Sequence, residues 1–161
     1  MPGSLVDPNH FRKACSQFAT GITIPTVLGS DGKPHGFTAN SFTSVSLSPP
    51  MVLICVDNQA NVIEHFRTAS SFGINILEAT QQSLSSRFAG PGRDRFSGVD
   101  WRPGELGAPL IDGAIAHMVC SVTNVLEVGD HFVFFGKVIF AQFYAGDPLL
   151  YFQGRYEALT S

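Results

Sequence analysis

The chain has 161 residues, of which 44% are apolar and only 14% charged, and its net charge is −3 with histidine neutral. A chain of this length buries about 70% of the surface its unfolded form exposes, so one domain over residues 1–161 is expected to build a core without staples. The few Lys and Arg form no basic stripe, which excludes nucleic acid as the main partner. No run approaches the ~18 apolar residues of a membrane span, so no membrane contact is expected.

Asp7 can cap a short helix whose apolar face holds Phe11, Ala14, Cys15 and Phe18, with Gly21 as its stop. "ITIPTVL" then reads as a strand, with Pro25 removing a ladder donor and suggesting an edge or a bulge. After the turn "GSDGKPHG" two strands are expected, in "FTANSFTSVSL" and in "MVLICV", separated by Pro49 and Pro50. Residues 60–69 read as a helix with Val62, Ile63 and Phe66 inward, and "SFGINIL" as a strand. Thr80 is the expected cap of a helix carrying Leu84 and Phe88. The Gly-, Pro- and charge-rich stretch from Gly90 to Pro109 reads as a surface excursion. Two long strands follow, about Ala114 to Glu127 and His131 to Tyr144, joined by the tight turn "VGD", and "PLLYFQGRY" closes the chain with a short strand and a turn. Six to eight strands linked by short turns, with three short helices, predict a mainly antiparallel β-barrel with peripheral helices.

Three distant cysteines, Cys15, Cys55 and Cys120, form neither a disulfide framework nor a metal-spaced pair. With no signal peptide at the N-terminus, they point to a soluble cytoplasmic protein. The low charge and the 14 Phe point to a second buried surface, a homodimer interface.

Catalytic constellations are missing. The five histidines fall in no metal spacing, and there is no nucleophile elbow, no P-loop and no dinucleotide-binding glycine motif. A small enzyme without its own acid, base, nucleophile or metal leaves the chemistry to a cofactor. "GFTANSFTSVSLSPP" (Gly36 to Pro50) carries a row of hydroxyls and an amide with no charge. In a strand, Thr38, Asn40, Ser44 and Ser46 would share one face, and Ser41 and Thr43 the other. Taken alone, the row fits an exposed Thr/Ser strand or a neutral polar groove for a phosphate and a flat heterocycle.

At this point the sequence resembles the flavin reductase family, the small reductase components of two-component flavin-dependent monooxygenases. The resemblance runs through "FRKACSQFATGITI", "GFTANSFTSVSLSPPMVLICV", "FGINIL", "SSRFAG", "GVDWRPGELGAPLIDGAIAHMVC", "GDHFVFFGKV" and "PLLYFQGRY", in the family's order. It implies an antiparallel Greek-key split β-barrel with short peripheral α-helices, and an NAD(P)H:flavin oxidoreductase with FMN or FAD as hydride acceptor and NADH or NADPH as donor. A monooxygenase receiving the reduced flavin is the implied partner. A flavin-binding sensor, carrier or oxygenase of the same fold is the alternative.

The resemblance also implies the site. Thr38, Ala39, Asn40 and Ser41 would face the flavin ring edge and ribityl chain, and Ser44, Val45 and Ser46 would continue the contact. Asn61 would serve the phosphate where relatives carry a small hydroxyl and this chain has Ala60. Arg87 is the candidate cation for the phosphate, set against a solvated helix face. His131 after the Gly129–Asp130 turn would contact the nicotinamide nucleotide, and Phe152, Gly154 and Tyr156 in "FQGRY" would wall the same site. Pro25, where the family carries a β-branched residue, has no functional account.

Overall fold

Residues 6–160 are described by the structure, a computed structural model. Among these residues, twelve strand segments and three short helices form a mainly antiparallel β fold, more segments than the expected six to eight. The excess comes from two- and three-residue strands that carry no periodic signal.

Helix α1 spans Pro8–Cys15, with the Asp7 carboxylate accepting from the His10 N–H at 2.9 Å as expected. Strands β1 (Thr20–Gly21), β2 (Thr23–Leu28) and β3 (Pro34–Gly36) follow. Then come β4 (Thr43–Leu47), β5 (Pro50–Asp57), helix α2 (Ile63–Thr68) and β6 (Ser71–Ile76). Helix α3 is Gln82–Ala89, entered through a 3₁₀ turn at Ala79–Gln81. The expected Thr80 cap gives way to Glu78. Its carboxylate accepts from the Thr80 N–H, and Gln81 reaches back to the Glu78 N–H, so the cap sits two residues earlier. The hairpin β7 (Trp101–Pro103) and β8 (Pro109–Ile111) leads into β9 (Ala116–Val128) and β10 (His131–Phe143), and β11 (Leu150–Phe152) and β12 (Arg155–Glu157) end the fold.

The main sheet has the order β3-β2-β6-β9-β10-β5-β4, every pair antiparallel. Its two edges, β3 and β4, are consecutive in the chain, and only residues 37–42 join them. Seven strands about 4.8 Å apart would span about 29 Å if flat. The connection, seven Cα steps, reaches about 25 Å at most. The sheet therefore curls until its edges approach, and residues 37–42 cross the seam.

That crossing overturns the expectation of one strand over "FTANSFTSVSL". Residues 37–42 satisfy their backbone elsewhere: Phe37 N–H donates to Pro25, Thr38 N–H to Phe88, and Ala39 exchanges bonds with Thr23 at 2.8 and 2.9 Å. A register shift between Ser44 and Ser46 further breaks the alternation on β4. The shared face read from a period of two does not form. Pro25 is not on an edge strand either, since β2 lies between β3 and β6. An antiparallel residue directs its N and its carbonyl to the same neighbour. Pro25 turns both toward the place where β3 has ended and Phe37 leaves, so its missing donor is not needed by the ladder.

The main core lies inside the curl. Val52, Ile54 and Val56 alternate inward along β5, Phe72 and Ile74 come from β6, Cys120 from β9 and Phe134 from β10. Val62, Ile63 and Phe66 plug it from α2, as the sequence predicted. A second cluster, Ile22, Ile24, Leu77, Phe88, Phe96, Ile111 and Leu149, lies under α3. Phe96 and the β7–β8 hairpin anchor the 90–109 stretch, which is thus only partly a surface excursion. Asn75, fully buried on β6, holds the hairpin: its amide donates to Ile24 O at 2.9 Å and accepts from Ile111 N–H at 2.7 Å.

His117 on β9 is buried with its Nε2 2.7 Å from Ile111 O. Burial pushes its imidazole below the ordinary histidine range, and the bond to Ile111 only partly offsets this. His65 is lowered too, by burial first and then by His35. Below about pH 6.5 the unfolded chain takes up protons that the folded chain refuses, so stability falls as pH drops through that value. Denaturant midpoints are expected to fall between about pH 7.5 and pH 5.5, and His117→Gln should flatten that slope. Equal slopes in the two proteins would remove His117 from the account.

Candidate functional site

The seam crossing is the floor of three adjoining clefts. One, ≈ 200 Å³, is lined by Ile22, Thr38, Asn40, Ala89, Tyr151 and Tyr156. A second, ≈ 480 Å³, shares Thr38 and Ala89 with it and runs past Asp57, Ala60 and Asn61 to Arg95. A third, ≈ 320 Å³, shares Asn40 and is bordered by Phe18, Thr20, Phe42 and Thr43. Because residues 37–42 leave the ladder here, their side chains are free to line a surface that a paired strand would cover.

Helix α3 clamps this floor from one side. The Thr38 hydroxyl donates to Ser85 O at 2.5 Å, while the Ser85 hydroxyl lies 2.9 Å from the Tyr156 hydroxyl. The same helix turn thus fixes the crossing and the C-terminal hairpin. Tyr156 packs edge-on to Tyr151, ring centroids 5.6 Å apart. The hairpin turns at Gln153 (φ +49°) and Gly154 (φ +78°), two left-handed residues that suit a two-residue connection. Gln153 N–H donates to Ser16 O at 3.0 Å, which anchors the turn beside the end of α1.

At the other end stands Arg95. Its two terminal nitrogens donate to Gly36 O at 2.9 Å and Gly90 O at 2.7 Å, and its Nε is buried with no partner among the described residues. Burial works against the guanidinium charge. A half-buried arginine that lines a cleft suits an anionic ligand group through the donors its terminal nitrogens keep free. The Asn61 side chain lies beside it, donating to Pro91 O at 3.4 Å.

Residues 15–160 match the family model described as "Flavin reductase like domain". The chain belongs to the flavin reductase family. A Rhizobium meliloti (strain 1021) relative is 44% identical over 138 residues; the match takes in 86% of this chain but only 44% of that relative's length. The "NADH-dependent FAD reductase" of Streptomyces globisporus is 45% identical over 96% of this chain and 89% of its own. The solved structure of the Streptomyces globisporus C-1027 NADH:FAD oxidoreductase "in complex with NAD and FAD fragments" superposes with a TM-score of 0.89, at 44% identity, over 98% of each chain. A reductase subunit of a flavin-dependent monooxygenase from Mycobacterium tuberculosis is 39% identical over 96% of this chain and 83% of its own.

In this flavin reductase family member the residues singled out by sequence fall into three groups. Thr38, Asn40, Asn61 and Tyr156 line the joined clefts. Asn40 is exposed, and its amide has no hydrogen-bond partner among the described residues. Ala39 is buried and Ser41 turns inward: its hydroxyl donates to Cys55 O at 3.1 Å and accepts from Cys55 N–H at 3.2 Å, tying the crossing to β5. Phe152 and Gly154 shape the hairpin behind Tyr151 and Tyr156.

Ser44, Val45 and Ser46 lie along the edge strand β4 and line none of the three clefts. Arg87 points elsewhere as well, donating to Ser97 O at 2.5 Å in a groove with Ser83, Asp100 and Asp112. His131 lines none of the three. It is paired with Asp57, which does line the second cleft, and its Nδ1 is 2.7 Å from the Asp130 carboxylate, whose pKa is lowered by that bond.

Arg95, Ser85 and Tyr151 were not singled out. Arg95 sits in a charged, Gly-rich run whose only hint was the neighbouring Phe96, an aromatic buried in an otherwise exposed stretch.

Proposed function

We propose that this chain is an NAD(P)H-dependent flavin reductase that supplies reduced FMN or FAD to a separate flavin-dependent monooxygenase. The observation that carries the reading is the set of adjoining clefts over residues 37–43, lined by Thr38 and Asn40 where they meet and by Asn61 and Arg95 at one end. Family membership and the names of the relatives support it. When bound, NADH supplies the hydride and flavin accepts it, so the protein needs no acid, base or nucleophile of its own.

What remains for the residues is placement, with two rings held about 3–3.5 Å apart. Asn40, exposed and without a side-chain partner among the described residues, would meet the polar ring edge. Thr38 and Ser41, their hydroxyls already engaged, would hold the backbone of the crossing in shape. Arg95 and Asn61 would take the phosphate. Tyr151, Tyr156 and the Phe152–Gly154 turn would wall the nicotinamide side, with His131 at its rim. Ser44, Val45 and Ser46 would reach a flavin only where it extends along β4.

The test is to mix the purified protein with FMN or FAD, remove oxygen, and add NADH or NADPH. Loss of the flavin's visible absorbance, faster with one of the four pairs, is the expected result. Flavin that binds but does not respond to either nucleotide would leave a flavin carrier, and failure to bind flavin would overturn the reading.

A homodimer in a cytoplasmic setting completes the proposal. Helix α1 buries no residue among the described residues: its Phe11 is 62% exposed, Phe18 just beyond it 79%, and Leu47 and Phe143 are 91% and 86% exposed. Apolar surface on this scale calls for a covering partner. Sedimentation is expected to give a dimer mass at micromolar concentration, and a monomer turning over at full rate would refute it. No helix among the described residues is long and apolar enough to cross a membrane. The free Cys15, Cys55 and Cys120 suit a reducing compartment.

A further inference from the structure

Next to the Asn61–Arg95 end of the clefts, Asp31, His35 and His65 come together from three elements: the β2–β3 turn, β3 and α2. One ligating atom from each lies within 4.8 Å of the others. Both carboxylate oxygens of Asp31 face one nitrogen of His35, at 3.1 and 3.0 Å from Nε2. That separation is a few tenths of an ångström short of the edge of a tetrahedral site, where bonds of about 2.0–2.2 Å place neighbouring donors about 3.3–3.6 Å apart. The His65 ring stacks on His35, centroids 3.5 Å apart and planes 11° from parallel.

We propose that Asp31, His35 and His65 form a binding site for a divalent transition metal of the zinc class. Two imidazoles and one carboxylate are a donor set that suits zinc, with a fourth position left to water. The metal would replace the proton that Nε2 of His35 shares with Asp31, and His65 would tilt out of the stack to complete the set.

The surroundings are built for the cluster. The Asp31 carboxylate is oriented by the Lys33 N–H, which donates to Oδ1 at 3.0 Å, as outer hydrogen bonds orient metal-ligating carboxylates. Gly29 leaves it room: a Cβ there would lie 2.5 Å from Asp31 Oδ1 and 2.9 Å from His35 Nε2. His65 is held on a helix whose Val62, Ile63 and Phe66 are in the core. A cleft of ≈ 310 Å³ beside the histidines gives the fourth ligand an entry path. Arg93 and Arg95 line the same cleft, so the affinity is moderate and an anionic fourth ligand strengthens it. A bound metal would tie the β2–β3 turn to α2 next to Asn61 and Arg95.

The experiment uses Cys15→Ser protein, which removes the exposed thiol as a competing ligand. It is titrated with cobalt(II), followed by visible absorption, and with zinc(II) by calorimetry in a buffer without chelators. One saturable site per chain is expected, with the intense cobalt spectrum of tetrahedral coordination. Asp31→Asn and His65→Gln should each weaken binding by at least ~10-fold, with circular dichroism confirming that the variants fold. His35→Gln provides the same readout from a second element. No saturable binding at tens of micromolar metal, or affinity unchanged in both Asp31→Asn and His65→Gln, would overturn the proposal.

Discussion

Arg95→Ala is expected to weaken FMN binding by about 10- to 150-fold while changing riboflavin binding little. The range follows from the roughly 1.5–3 kcal/mol carried by a hydrogen bond to a charged group. Arg95 lines the cleft with Asn61. The same side chain also braces Gly36 and Gly90 through their carbonyls, so the variant will lose some stability. Comparing the two flavins separates these effects, because riboflavin lacks only the phosphate. A structural role lowers the affinity for both alike, and a phosphate contact lowers it for FMN alone. Arg95→Lys should recover part of the loss as a point charge without the fork. Arg87→Ala, in a different groove, should leave FMN affinity near its starting value. Equal losses for FMN and riboflavin, measured by fluorescence titration, would remove Arg95 from the phosphate site.

His131→Ala is expected to raise the apparent Michaelis constant for NADH by about 10-fold, the scale of one hydrogen bond lost to a charged or strongly polar group. Flavin affinity should stay intact. The residue opens β10 directly after the Gly129–Asp130 turn, opposite Asp57 at the rim of the second cleft. Its bond to Asp130 orients the ring. The turnover number should fall as well if that orientation also aligns the rings for hydride transfer. A merely structural His131 predicts lower stability with unaltered kinetics per folded molecule. Stopped-flow reduction of bound flavin at several NADH concentrations distinguishes the two outcomes, and an unchanged rate and nucleotide affinity would refute the role. A second readout is the Asp130 carboxyl. His131 holds its pKa down, so in the variant it should move back up toward the ordinary carboxylate range, visible by NMR titration.

Local signals in the sequence were enough for the elements that depend on local physics. The cap at Asp7, the inward Val62, Ile63 and Phe66, the long strands to either side of Gly129–Asp130 and the closing "FQGRY" turn all leave a mark within a few residues of chain. Each is recorded by a residue type at a fixed spacing. The blocks that carry the family resemblance also fixed the fold class, because they run in order along nearly the whole chain. What the sequence could not supply was the path of residues 37–42. Their hydroxyls and alternation read as a strand, yet β3 and β4 occupy opposite edges of a curled sheet and the chain must bridge them. Only that closure takes the segment out of the ladder and makes it the floor of the cleft. The cation followed the same logic. Arg87 lies in a recognisable block and Arg95 in a loop without periodicity, but Phe96 enters the core and turns Arg95 toward Gly36. Composition and spacing record which residues can bury or bond. Which of them meet across 59 residues of chain, as Arg95 and Gly36 do, is decided by the packing of the whole sheet.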